Sequence, residues 1–194
     1  MNSLEIITHS WPWYLTRSAG LISLSLLILV VLMGIGQVTG YTYRILEPIK
    51  AWRLHKTISL ALIGTLFLHL FSLLFDRYQP FSLIELFLPL ASTYRPLTIG
   101  GISLGSVFIS LGIIGFYACL AIIISSLWFM KSKRAWKLIH FLAYLLLPCV
   151  LIHSAYIGTD MASPWIKYPV WVAVIALILG TISRGWHKIS PPSD

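Results

Sequence analysis

Four histidines stand inside long apolar stretches of this chain: His55, His69, His140 and His153. Imidazole is both a proton-exchanging group and a common metal ligand. An ionisable side chain placed among apolar residues long enough to cross a bilayer marks a functional site by default. The spacing is what makes the set informative. His55 and His69 are 14 residues apart, and His140 and His153 are 13 apart. On a helix these separations correspond to about 21 Å and about 19.5 Å of rise, and the first pair falls within about 40° of one face. Trp52 precedes His55 by three residues and Trp136 precedes His140 by four, so His55 and His140 sit at one depth and His69 and His153 at another. Two imidazoles at each of two depths do not suit zinc, which takes about four ligands at one point. A proton relay would call for acidic partners, and no acidic residue falls within the five apolar runs set out below. Haem iron takes two axial imidazoles, and its macrocycle suits a dry slot between helices. The expectation is two b-type haems, one between His55 and His140 and one between His69 and His153. The second histidine-bearing segment resists an ideal helix, because 13 residues leave its histidines about 140° apart in projection. Pro148 lies between them, and the expectation is that it distorts the helix and re-aims His153.

The elements that carry these residues follow from composition. Of 194 residues, 58% are hydrophobic and only 10% are charged, with a mean hydropathy of +0.86. Soluble domains keep roughly a quarter of their residues charged. The apolar residues form five runs, about 14–38, 52–75, 102–130, 136–157 and 165–183. Runs of this length read as transmembrane helices. The fold expected is an all-α polytopic membrane bundle, one domain over 1–194, with the haems between spans two and four. The segment 81–90 is too short to span and reads as an interfacial helix. Met1 to Pro12 lacks a basic start and a small-residue cleavage site, so the first run reads as a retained span. The tail after the fifth run is read as too short for another domain.

Charge placement gives an orientation. The loops after spans one and three with the starts of the spans that follow them, together with the tail, carry ten basic and two acidic residues, while the opposite side carries four of each sign. By the positive-inside rule the N-terminus is expected outside and the C-terminus in the cytoplasm, in a bacterial plasma membrane. Because the basic excess is confined to one side, it reads as a topology signal, with a secondary role at anionic lipid or an acidic partner, and no nucleic-acid function is expected. His9 and His187 fall in terminal segments and read as solvated. Cys119 and Cys149 lie mid-run and read as small packing residues. Tyr78, Tyr94, Arg95 and Thr98, in the connection between spans two and three, are candidates for shaping access to the outer haem.

At this point the sequence resembles the ferric reductase-like transmembrane family, which includes NADPH oxidases, ferric-chelate reductases and the haem-bearing membrane subunit of bacterial methionine sulfoxide reductase systems. The resemblance runs from about Trp13 to Trp186, in WYLTRSAGLISLSLLILVVLMG, WRLHKTISLALIGTLFLH and WKLIHFLAYLLLPCVLIH. It implies a six-helix core with one haem toward each face, His55 and His140 ligating the inner one and His69 and His153 the outer. It also implies that Arg17 meets a haem propionate, the plain alternative being an arginine that snorkels to the interface. Arg53, Lys56 and Lys137 are either inner propionate partners or orientation charges. The five runs depart from the six implied, and no flavin or nicotinamide site is legible, since no glycine-rich dinucleotide motif follows a strand. A cytoplasmic flavoprotein, a quinol or another redox subunit is therefore the expected donor, within a hetero-complex embedded in membrane lipid. The function expected is electron transfer across the membrane to an external acceptor: ferric chelate, dioxygen or a redox protein. Two other readings stay open. One is a cytochrome b anchor subunit of a respiratory or photosynthetic complex, with quinone near one haem. The other is a non-redox membrane protein whose histidines only hydrogen-bond between helices.

Overall fold

The structure is a computed structural model and describes residues 3–76, 80–94, 98–99, 102–128 and 132–189. Its helices in chain order are α1 (Ser3–Thr39), α2 (Pro48–Leu73), α3 (Leu83–Phe87), α4 (Leu104–Trp128), α5 (Lys133–His140), α6 (Ala143–Ile157) and α7 (Pro164–Ile189). Five stretches are long and apolar enough to cross a membrane: Ser10–Thr39, Pro48–Leu73, Leu104–Trp128, Lys133–Ile157 and Pro164–Ser183. These are the five runs read from hydropathy, to within a few residues at most ends.

Local chemistry explains the ends. Gly40 closes α1 with a left-handed φ of 82°, a conformation that costs glycine nothing. Pro48 opens α2 at its first turn, where no backbone donor is missed. The expected interfacial helix over 81–90 is realised only as the five residues of α3. Ser82 and Glu85 form a capping box at its start, and Leu88 leaves it in an extended conformation. A two-residue antiparallel pair follows, β1 (Thr98–Ile99) with β2 (Ile102–Ser103). Tyr78 and Arg95, two of the access candidates, lie outside the described residues.

The bundle is built from two antiparallel helix pairs. One is α1 against α2; the other is α4 against α5 and α6; α7 packs on α1. The histidine-bearing helices α2 and α6 hardly touch each other, and each rests along a neighbour without a site histidine. A layer of Leu27, Leu62, Ala118, Cys119 and Leu146 joins all four helices at mid-depth. Leu62 is midway between His55 and His69, and Leu146 is midway between His140 and His153, so this apolar floor separates the two histidine levels. Both cysteines are buried and free, packing residues as expected. Large apolar side chains such as Phe67, Phe71, Trp171 and Ile178 are exposed outward, an arrangement suited to lipid and costly in water.

The distortion expected at Pro148 is present but displaced. Pro148 rides inside α6, and the break falls a turn or more earlier, at Phe141 and Leu142. Leu142, Tyr144 and Leu145 each donate to the carbonyl three residues back, at 3.0 Å. A proline ring crowds the carbonyl four residues before it, here that of Tyr144, and the strain is taken up upstream. Three tightened steps of about 120° in place of about 100° cut the projected divergence of His140 and His153 from about 140° to about 80°.

Candidate functional site

The two histidine levels are named here by their ends: the basic end, where the loops after α1 and α4 carry the positive charge, and the far end. At the far end, His69 Nδ1 lies 2.9 Å from the carbonyl oxygen of Thr16 on α1. His153 Nδ1 lies 2.9 Å from the carbonyl oxygen of Phe108 on α4. A carbonyl can only accept, so Nδ1 of each ring is the donor, and in the neutral imidazole Nε2 is left with a bare lone pair. This is the arrangement by which metal-ligating histidines are oriented.

The cradle is the same on both sides. Four residues beyond each accepting carbonyl stands a glycine, Gly20 after Thr16 and Gly112 after Phe108. A Cβ on Gly20 would come 3.1 Å from the His69 ring, and one on Gly112 would come 2.7 Å from the His153 ring. The rings therefore approach closely where the neighbouring helix carries no side chain. Thr16 adds a lock, its hydroxyl 2.7 Å from Ser72 Oγ, which in turn donates to the His69 carbonyl at 2.9 Å.

Both far-end rings line one cavity of about 370 Å³. Its floor includes Leu27, Leu62, Cys119 and Leu146, the mid-depth layer, and its mouth includes Arg17, Asp76, Glu85 and Asp160. Arg17 closes a fork on Asp160: Nε donates to Oδ2 at 2.8 Å, and Nη2 pairs with Oδ1. The guanidinium also stacks 4.1 Å above the Trp13 ring. Arg17 thus lies at the cavity mouth with a protein carboxylate as its partner, where the resemblance implies a propionate. Tyr94 lines the same mouth, while Thr98 lies in β1. Glu85 accepts from Ser82 and Thr93, and these bonds hold its carboxyl at about 2, well below the usual range.

At the basic end the two ring centres of His55 and His140 are 6.4 Å apart with planes inclined by 38°. Their Nδ1 atoms are buried and have no hydrogen-bond partner among the described residues. Gly34 faces His55, but a Cβ there would meet only an ordinary contact at 3.6 Å. The Trp136 ring lies 5.0 Å from that of His140 and is fixed by Nε1 donating to Ser126 Oγ at 3.1 Å. Arg53, Lys56 and Lys137 are exposed, and Lys56 stacks over Trp52 at 5.6 Å.

These residues fit a haem group at each level. Among the described residues no three side chains of the His, Cys, Asp or Glu types converge, and each level brings two imidazoles to one place, His55 with His140 and His69 with His153. Two imidazoles on opposite sides of one metal, each bonded at about 2 Å, put their ring centres about 6 Å apart. The basic-end separation matches that figure. The far-end rings match in a different way, through oriented nitrogens and a shared cavity of the size that holds cofactors, roughly 300–1,000 Å³.

Comparison with family models, curated proteins and solved structures finds no match to this chain. The site therefore rests on its own geometry. The sequence reading singled out the four histidines and Arg17 and did not name Gly20, Gly112, the Thr16–Ser72 lock or Asp160, which lie beside them. One signal was there to be used: Gly20 and Gly34 are 14 residues apart, the same interval as His55 and His69.

Proposed function

We propose that this chain is a membrane-spanning electron carrier, holding one b-type haem between His69 and His153 and another between His55 and His140. Haem supplies reversible one-electron chemistry when bound. The observation that carries the reading is the far-end pair: two imidazoles, each donating Nδ1–H to a neighbouring helix's carbonyl, both bordering a single cavity. The protein's own part is orientation and exclusion of water. Thr16 and Phe108 set the tautomers, Gly20 and Gly112 admit the rings, and the leucine floor keeps the two levels apart and dry. By the positive-inside rule the basic end faces the cytoplasm. There a flavoprotein, a quinol or another redox subunit delivers electrons, and an external acceptor takes them at the far end.

The reading in which the histidines only tie helices together draws on the same two hydrogen bonds. It gives Nε2 no task, and it leaves the basic-end pair, whose Nδ1 atoms bond nothing, without a role. Absorbance spectroscopy of the purified protein reduced with dithionite separates the two. Haem ligation gives a shifted Soret band and a sharp α band, and alanine at any one of the four histidines removes one haem of the two. Absence of both bands from the unaltered chain, or an unchanged bound-haem signal in His69→Ala and His153→Ala, overturns the proposal.

A further inference from the structure

The α1–α2 pair is a polar ladder with a seven-residue step. Thr16 meets Ser72 at 2.7 Å, and Ser23 donates to Thr65 at 2.8 Å. Continuing the register, Val30 falls opposite Ile58 and Gln37 opposite Ala51. The last rung is unlike the others. Ala51 is fully buried, at 0% exposure, and offers no side-chain partner, while Gln37 Nε2 is buried with no hydrogen-bond partner among the described residues. Gly34, which faces His55, lies three residues before Gln37, so Gln37 is one turn nearer the basic end on nearly the same helix face. The buried, unpartnered nitrogens of Gln37, His55 and His140 all belong to this end of the molecule. All three can act as donors, and a buried donor costs free energy until it finds an acceptor.

We infer that Gln37 donates an amide N–H to an anionic oxygen acceptor of the ligand held by His55 and His140, namely its carboxylate edge. This rests on the haem reading above. The oxygen acceptors of b-type haem are the carboxylates of its two propionates, and carboxylates are placed toward a helix end because burying them deeper is costly. α1 ends at Thr39, two residues past Gln37, so the amide stands near the aqueous boundary.

The test uses the full haem-loaded chain carrying Gln37→Leu or Gln37→Glu. Three quantities are read: bound haem per chain, the resonance Raman band of propionate bending, and the two midpoint potentials. Gln37→Glu sets carboxylate against carboxylate and is expected to lose one haem of the two. Gln37→Leu keeps both but shifts the propionate band and lowers one midpoint, since an unpaired carboxylate favours the oxidised iron. Should Gln37→Glu lose both haems through misfolding, Gln37→Leu decides alone. Gln37→Leu with band and midpoints unchanged overturns the inference while leaving the haem reading intact. An unaltered chain without a b-type spectrum overturns both.

Discussion

At the far end each imidazole is held by one nitrogen on a backbone carbonyl and lies close against a glycine, where an added Cβ would crowd the ring, more severely at Gly112 than at Gly20. At the basic end the imidazoles face each other across 6.4 Å with their Nδ1 atoms unbonded. The same α1–α2 pair serves both levels, and a shift of 14 residues carries Gly20 onto Gly34 and His69 onto His55. The same shift carries Thr16 onto Val30, which loses the lock. The far-end rings are thus oriented by hydrogen bonds to backbone carbonyls, whereas the basic-end rings make no such bond among the described residues. Two sites with one plan differ in how much of their geometry is prepaid.

The sharpest way to break this comparison is a glycine series. Gly112→Ala forces a Cβ to 2.7 Å from the His153 ring and is expected to abolish far-end haem binding while the basic-end haem remains. Gly20→Ala, at 3.1 Å, should weaken far-end binding less, and Gly34→Ala, at 3.6 Å, should leave occupancy unchanged. Haem per chain, read spectroscopically for the three variants, checks the order, and equal losses would remove the distinction between the ends. A smaller effect is expected from the lock. Thr16→Val removes a buried interhelical hydrogen bond worth about 0.6 kcal/mol, and at most about 1.7. The converse pair, Val30→Thr with Ile58→Ser, should install a rung at the basic end and raise thermal stability by a similar amount.

Asp160→Asn takes the anionic partner from Arg17 at the far-end mouth. With both side chains part-exposed, at 30% and 19%, the expected loss is no more than about 1 kcal/mol. Denaturation in matched detergent at low and high salt reads it, and the difference from the unaltered chain should shrink as salt rises. The smallest effect concerns pH. Glu85 is held at about 2 against an ordinary 4.5, so its contribution to the α3 loop is complete above about 4.5 and lost as pH falls through about 2. Hydrogen-exchange protection at Ser82 and Thr93 should persist to pH 4.5 and decline below it. Loss already at pH 6 would contradict the cap.

Much of this was legible in the sequence, for physical reasons that also explain the omissions. A span must satisfy its backbone internally and face lipid with apolar side chains, so five helices follow from hydropathy alone. The histidine pairs were legible because ionisable groups in such runs are rare. Gly20 and Gly112 were not, since glycine is frequent in membrane helices and a lone one signals nothing. Asp160 lies 143 residues from Arg17, and only the packing of α1 beside the turn at Thr159–Ala162 brings them together. Pro148 announced a distortion but not its place, because the ring acts on a carbonyl a turn upstream. The expected helix over 81–90 shrank for a local reason: Pro89 and the left-handed Leu90, φ 66°, do not continue a helix.

The division of each site between the two helix pairs has a consequence for biosynthesis. When α1 and α2 have emerged and paired, His69 already has its tautomer, through Thr16, yet only half of either slot exists. The opposing half arrives with α5 and α6, which carry His140 and His153, after α4 has offered the Phe108 carbonyl. Any ligand that needs both halves can therefore be captured only once α6 is in place, and until then the Nε2 atom of His69 has no imidazole opposite it.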